Sequence, residues 1–280
     1  PVLQTHQKHS RGNELIKKYM ERDYIVPEDF SQFIYLSQLL QAEGIAKGIE
    51  AHRRAMPSCM GSLYWQLNDC WPVISWSGID NEGSWKALHY FAKRYFSPVI
   101  ISVVEEQDQL KIFVVNDRNE SIQAKLVITV KDFEGKEIYS EETGIDVKKN
   151  KSECYKELRL NQLKNLERTS SLMNLKLVAG EEIIAGKNYF FAKPKEMKLS
   201  KPEIVLSSEP FEDGLKITLT TNVLAKNVFI ESDVDGKFSD NFFDLLPREK
   251  KEILFYPVKS GVEVKFKIMS LWDTLSDSQQ

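Results

Sequence analysis

Two hydrophobic periods divide the chain. Up to residue 96 the apolar positions recur at helical spacing. Leu15, Ile16 and Tyr19 do so amid Lys and Glu within residues 5–22, which predicts an amphipathic helix there. A better-defined helix is predicted between Pro27 and Pro57. Glu28 and Asp29 sit at its positive end, Phe30, Phe33, Ile34, Ser37, Gln41, Ile45 and Ile49 recur along it, and His52, Arg53 and Arg54 fill its last turn. Gly44 and Gly48 each cost about 1 kcal/mol of helix propensity, a cost usually kept where backbones pack closely, so they predict a helix lying flat against a neighbour. A third helix is predicted over residues 85–95.

Between the second and third helices lies GSLYWQLNDCWPVISWSGIDNEGSW, residues 61–85, with four of the five tryptophans. Residues 62–67 alternate, Leu63, Trp65 and Leu67 on one face and Ser62, Tyr64 and Gln66 on the other, and predict a strand. Asn68 and Asp69 then break it into a long loop with Pro72, Gly78 and Gly83. Helix, strand, loop, helix is the rhythm of a parallel (β/α)8 barrel, whose ligands are held at the carboxyl ends of the strands. One strand cannot satisfy its own backbone, so residues 1–97 are read as an incomplete barrel segment.

Beyond Pro98 the period changes to two. Short strands are predicted over 99–104, 110–115, 124–130, 137–140, 172–178 and 182–191, with hairpin corners at 132–136 and 179–180. After the Lys- and Pro-rich linker KPKEMKLSKP another series follows over 203–207, 214–221, 226–232, 249–256 and 262–271. The fold class expected is multidomain: a partial (β/α)8 barrel, then two immunoglobulin-like β-sandwich domains over 98–193 and 194–280. The last residues, SDSQQ, are expected to fray.

Composition narrows the chemistry. The formal net charge is −3 and the pI near 6.0, which gives no reason to expect nucleic acid or an anionic membrane as partner. No apolar run approaches the roughly 18 residues of a membrane span. Residues 1–10 lack a signal-peptide pattern, and Pro1 is an unusual native start. Cys59, Cys70 and Cys154 are read as free thiols. His6 and His9 stand three apart without other ligand types nearby, so surface roles are favoured and no metal or cofactor is expected.

The string MGSLYWQLNDCWPVISWSGIDNEGSWKALHYFAKRYFSPV closely resembles the last barrel strand and following loop of β-mannosidases in glycoside hydrolase family 2. The lead-in from His6 to Arg54 looks like the segment before that strand, so the first third is covered closely and the rest through architecture and a patch near SDNFFDLLP. The resemblance implies a retaining exo-hydrolase of terminal β-mannose, its substrate a mannoside or oligosaccharide, in a periplasmic, secreted or lysosomal setting. A homodimer is conceivable. Retaining hydrolysis needs two carboxyl groups about 5–5.5 Å apart. The family's motifs for both glutamates are absent, and Asn13-Glu14 fits a solvated helix face, so catalytic residues are expected upstream and the segment alone is expected to be inactive.

What remains is one wall of a sugar pocket, with Trp65, Asn68, Asp69, Trp71 and Trp76 as candidate substrate-binding residues. An aromatic face at a strand end can pack on sugar C–H surface. A core tryptophan serves Trp65 as well by residue type alone, and the resemblance tips the balance to the site. Asn68 and Asp69 suit hydroxyl recognition or a turn. Trp71 and Trp76 suit the pocket mouth or loop anchoring, and Trp85 suits the core. The alternative is a carbohydrate-binding or structural sandwich of another family 2 glycosidase. Phe238, Phe242 and Phe243 discriminate: exposed aligned rings favour binding, buried rings favour docking on a neighbouring domain.

Overall fold

The computed structural model describes residues 2–259 and 261–275. The expected frayed tail lies outside them. Among the described residues up to 96 there are four helices, α1 (Val2–Thr5), α2 (Gly12–Asp23), α3 (Phe30–Arg54) and α4 (Ala87–Tyr95). The helix expected over 5–22 is broken: His6 O accepts from Ile74 N at 3.0 Å and Gln7 bridges Ile74, which ties residues 6–7 to the loop rather than to a helical turn. Asp29 caps α3 by accepting from Gln32 N at 2.9 Å.

On α3 the buried stripe is Tyr35, Leu36, Leu39, Ala42, Ala46 and Ile49. Phe30 and Ile34, expected on the packed face, are exposed. The helix is apolar on more than one side, so periodicity alone did not choose the face that packs. Nor do the glycines mark a close approach: a Cβ built on Gly44 or Gly48 meets nothing within 4 Å.

Among the described residues fourteen strands follow. The first seven are β1 (Val99–Glu106), β2 (Gln109–Asn116), β3 (Ile122–Asp132), β4 (Glu137–Val147), β5 (Lys151–Arg159), β6 (Ser171–Ala179) and β7 (Glu182–Phe190). They form sheets ordered β1-β2-β5 and β4-β3-β6-β7, all neighbours antiparallel. Ile101, Ile112 and Val114 from one sheet and Leu126, Ile128 and Leu175 from the other share a core. β5 escaped the pattern because its sequence, KSECYKELR, buries only Leu158. Gly135 and Gly180 turn the two expected corners at positive φ, 87° and 62°.

The second series comprises β8 (Ile204–Phe211), β9 (Gly214–Thr221), β10 (Ala225–Ser232), β11 (Gly236–Phe238), β12 (Phe243–Leu245), β13 (Lys251–Pro257) and β14 (Phe266–Met269). Its sheets are ordered β11-β13-β9-β8 and β12-β10-β14. The last strand is shorter than the expected 262–271: it runs Phe266–Met269, residues 262–265 lie outside it, and Leu271–Thr274 is a 3-10 turn.

This second sandwich shares one continuous core with the helices. Phe242 stacks on Phe229 at 4.7 Å and on Tyr35 of α3 at 6.1 Å. Arg94 of α4 donates to Asp240 Oδ1 at 2.9 Å, Asn241 O at 3.1 Å and Phe242 O at 3.1 Å. Phe238, Phe242 and Phe243 are all buried, the docking outcome. The first sandwich is held by Arg53, which donates to Tyr95 O at 2.6 Å, Ser97 O at 2.7 Å and Asp117 Oδ2 at 2.7 Å.

Candidate functional site: an open tryptophan face braced by a buried aspartate

Residues 62–67 keep the expected alternation but do not form a strand. Leu63, Trp65 and Leu67 point outward, Trp65 with 74% of its surface exposed. Tyr64 turns inward and stacks on Phe96 at 6.4 Å, and Ser62 Oγ lies 2.9 Å from His52 Nδ1. A strand label requires a paired neighbour. Among the described residues none is present beside residues 62–65; backbone contact begins at Gln66 and Leu67, and Asn68 bridges Ile79 in parallel. The backbone closes the loop there: Gly78 N donates to Gln66 O at 3.0 Å, Ile79 N to Leu67 O at 2.9 Å, and Asp69 N to Ile79 O at 3.0 Å.

Asp69 is the brace. Its side chain is 1% exposed and accepts from Lys86 Nζ at 2.8 Å, Ser77 Oγ at 2.5 Å and Ser75 Oγ. Burial alone would push this carboxyl up, yet the Lys86 ammonium and the two hydroxyls outweigh it and hold it below the usual carboxylate range. Lys86 also donates to Ser77 Oγ at 2.7 Å. The result is a closed charge-assisted network that fixes both ends of the loop to the start of α4. Asp80 makes the turn inside it, accepting from Glu82 N at 2.9 Å and Ser84 N at 2.8 Å.

The five candidates are therefore dispersed in environment. Trp65 and Trp76 project outward, Trp76 with 53% exposure. Trp71 is partly buried: His6 stacks on it at 5.9 Å and Lys8 Nζ lies 4.6 Å from its ring centre. Asn68 donates to the carbonyl of Asp69 at 3.2 Å. A recess of about 480 Å³ beside the site is lined by Val2, Phe30, Ile74, Asp69 and Lys86 among others, and not by the tryptophans. Trp85 packs edge-on to Tyr90 at 5.5 Å against the core, as expected of it.

Sequence reasoning missed Ser75, Ser77 and Lys86. The Ser-Trp-Ser spacing was a usable signal, since serines two apart in an extended stretch point the same way. Among the described residues no group of three or more His, Cys, Asp or Glu side chains could hold a metal ion, and no helix is long and apolar enough to cross a membrane. All three cysteines are free thiols.

Residues 108–196 match the family model of the mannosidase Ig/CBM-like domain, and residues 199–274 that of the Ig-fold domain of mannosidases. The solved β-D-mannosidase of Dictyoglomus thermophilum superposes with a TM-score of 0.86 at 28% identity, over 96% of this chain and 33% of that one. In sequence and fold the chain is similar to the carboxyl-terminal portion of β-mannosidases. The goat (Capra hircus) β-mannosidase is 31% identical over 96% of this chain, and β-mannosidase A of Aspergillus clavatus 30% identical over 96%. The chain spans about a third of the length of these curated relatives, 34% and 32% respectively. The exo-chitosanase of Amycolatopsis orientalis, at a TM-score of 0.71 and 16% identity over 92% of this chain and 36% of that one, shares the fold. The residues expected in the site fall in the first third of this β-mannosidase homologue, outside both matched Ig-type domains.

Proposed function

We propose that these 280 residues contribute one wall of a retaining exo-β-mannosidase site, and that on their own they do not hydrolyse mannosides. The observation that carries the reading is the open face of Leu63, Trp65 and Leu67. These rings and side chains stand clear of every core in the chain while the Asp69 network holds the segment behind them in place. An indole held in the open on a braced backbone can lie against the C–H face of a pyranose. Two carboxylates of this stretch are already committed, Asp69 to Lys86 and the serines and Asp80 to its turn, and Glu82 sits exposed in that turn. The nucleophile and the acid/base then come from outside these residues, on elements that also cover the apolar face around Trp65.

The test uses an aryl β-mannoside. The chain alone shows no turnover, whereas a longer polypeptide that contains it is active. In that longer protein Trp65→Ala lowers kcat/KM by about 100-fold or more with an unchanged Tm, since a lost stacking face near the reacting centre weakens transition-state binding by roughly 3 kcal/mol. Turnover by the purified chain, or wild-type kinetics for Trp65→Ala, refutes the reading.

A further inference from the structure

A further feature lies away from the tryptophan face, where the helices and both sandwiches meet. A cleft of about 1070 Å³ opens there, lined by α3, β7, β10 and β12, a volume at the upper end of ordinary ligand sites. At its centre β10 carries a bulge: Ala225 pairs with Leu245 and Val228 with Phe243, so Lys226 and Asn227 stand opposite the single residue Asp244. Asn227 takes a left-handed φ of 54°. Its backbone is pinned by Tyr35 Oη, which donates to Asn227 O at 2.7 Å, and by its own N–H, which donates to Asp244 Oδ1 at 3.1 Å. Bulges of this kind redirect side chains, and here both residues line the cleft.

Neither side chain makes a hydrogen bond, although Lys226 is ion-paired at longer range. Lys226 is only 6% exposed, yet its ammonium makes no direct hydrogen bond: Glu43 Oε1 lies at 3.6 Å and Asp244 Oδ1 at 3.9 Å, against the roughly 2.8 Å of a charge-assisted bond. The Phe190 ring, 4.4 Å away, supplies a cation–π contact and no acceptor. Asn227 Oδ1 is buried without a partner. Around them the polar groups are already oriented: Tyr24 Oη donates to Glu43 Oε2 at 2.8 Å and Asn188 Nδ2 to Asp244 Oδ2 at 3.2 Å. A little further along, Lys187 Nζ donates to Glu50 Oε1 at 2.5 Å and Tyr95 Oη at 2.8 Å, leaving one N–H free.

A group seated among these atoms must accept from an ammonium and donate to a carboxylate and an amide oxygen. A neutral hydroxyl does both. A phosphate meets two carboxylates, and an amine meets the ammonium. We propose that this cleft is a second binding site, distinct from the tryptophan face, for a neutral polyhydroxylated ligand of the size of one pyranose ring, with Lys226, Asn227, Glu43 and Asp244 as its contacts. The proposal does not depend on the mannosidase reading above.

Saturation-transfer NMR and calorimetry on the 280-residue chain test it, with D-mannose, D-glucose and myo-inositol as probes and inorganic phosphate and spermidine as charged controls. At least one neutral probe binds saturably, with Kd on the order of 1–10 mM. Lys226→Met and Asn227→Gly, the latter keeping the left-handed backbone, each weaken it about tenfold or more, the loss of a hydrogen bond to a charged or buried group. Trp65→Ala leaves it unchanged. If Lys226→Met does not fold, Asn227→Gly decides alone. The proposal is overturned by the absence of saturable binding of all three polyols, by tighter binding of phosphate or spermidine, or by binding that survives Asn227→Gly and disappears in Trp65→Ala.

Discussion

Substituting Asp69 by Asn tests whether the tryptophan loop is held by charge or by shape. The amide keeps the volume and its one oxygen can still accept from Ser75 or Ser77, which reach opposite oxygens of the carboxylate, but it leaves the Lys86 ammonium, 18% exposed in its side chain, without its counter-ion. Breaking one partner of a buried pair costs about 3–5 kcal/mol. Lys86 can turn partly to water, so about 3 kcal/mol is expected, roughly 100-fold in the opening equilibrium of residues 75–86 at 1.4 kcal/mol per decade. Amide hydrogen exchange reads this locally, which matters because a chain of several units need not unfold as one. Protection in 75–86 falls by that factor in Asp69→Asn while β1 to β14 keep theirs. Lys86→Met in the Asp69→Asn background adds little, because the two share one interaction. The pH profile has a definite sign. The folded carboxyl is held below its unfolded value near 3.9, so its contribution is complete above about pH 4 and is lost as pH falls through the lower folded pKa. Asp69→Asn is flat over that range. Unchanged exchange in Asp69→Asn, or full additivity with Lys86→Met, would refute the brace.

Phe242→Ala should cost about 3–5 kcal/mol, seen as a lower Tm, because its ring is locked between Phe229 and Tyr35 across the join between helices and second sandwich. Arg53→Met removes the donors held by Tyr95, Ser97 and Asp117 and should cost about 3 kcal/mol, with faster proteolysis between residues 95 and 99. Burial alone would lower the Lys187 pKa, but Tyr95 and Glu50 outweigh it and raise it. Stability from this pair is therefore present below the unfolded value near 10.4 and lost as pH rises through the folded one, so wild type should exceed Glu50→Gln in Tm at pH 8 and lose that advantage at strongly alkaline pH.

Local pattern determined much of this protein. The change from a helical to a two-residue period at Pro98 located the all-β region, because half-buried antiparallel strands must alternate. Val99–Glu106 and Gly214–Thr221 stand where alternation put them, and Leu63, Trp65 and Leu67 share an outward face as it required. The sequence motif also pointed to the β-mannosidases before any contact was known. Three things came only with the tertiary structure. Which side of α3 packs was decided by α4 and the second sandwich, since the helix offers apolar residues on several sides and it is the stripe of Tyr35, Leu36, Leu39, Ala42 and Ala46 that joins their core. Whether residues 62–67 count as a strand depends on a neighbour to pair with, and alternation says nothing about neighbours. The Asp69 cluster and the Lys226 cleft join residues up to 17 and 201 positions apart, Asp69 with Lys86 and Glu43 with Asp244. Polar partners at such separations leave no periodic trace, because hydrogen bonds and ion pairs depend on position in space while periodicity records only the face of an element on which a residue lies.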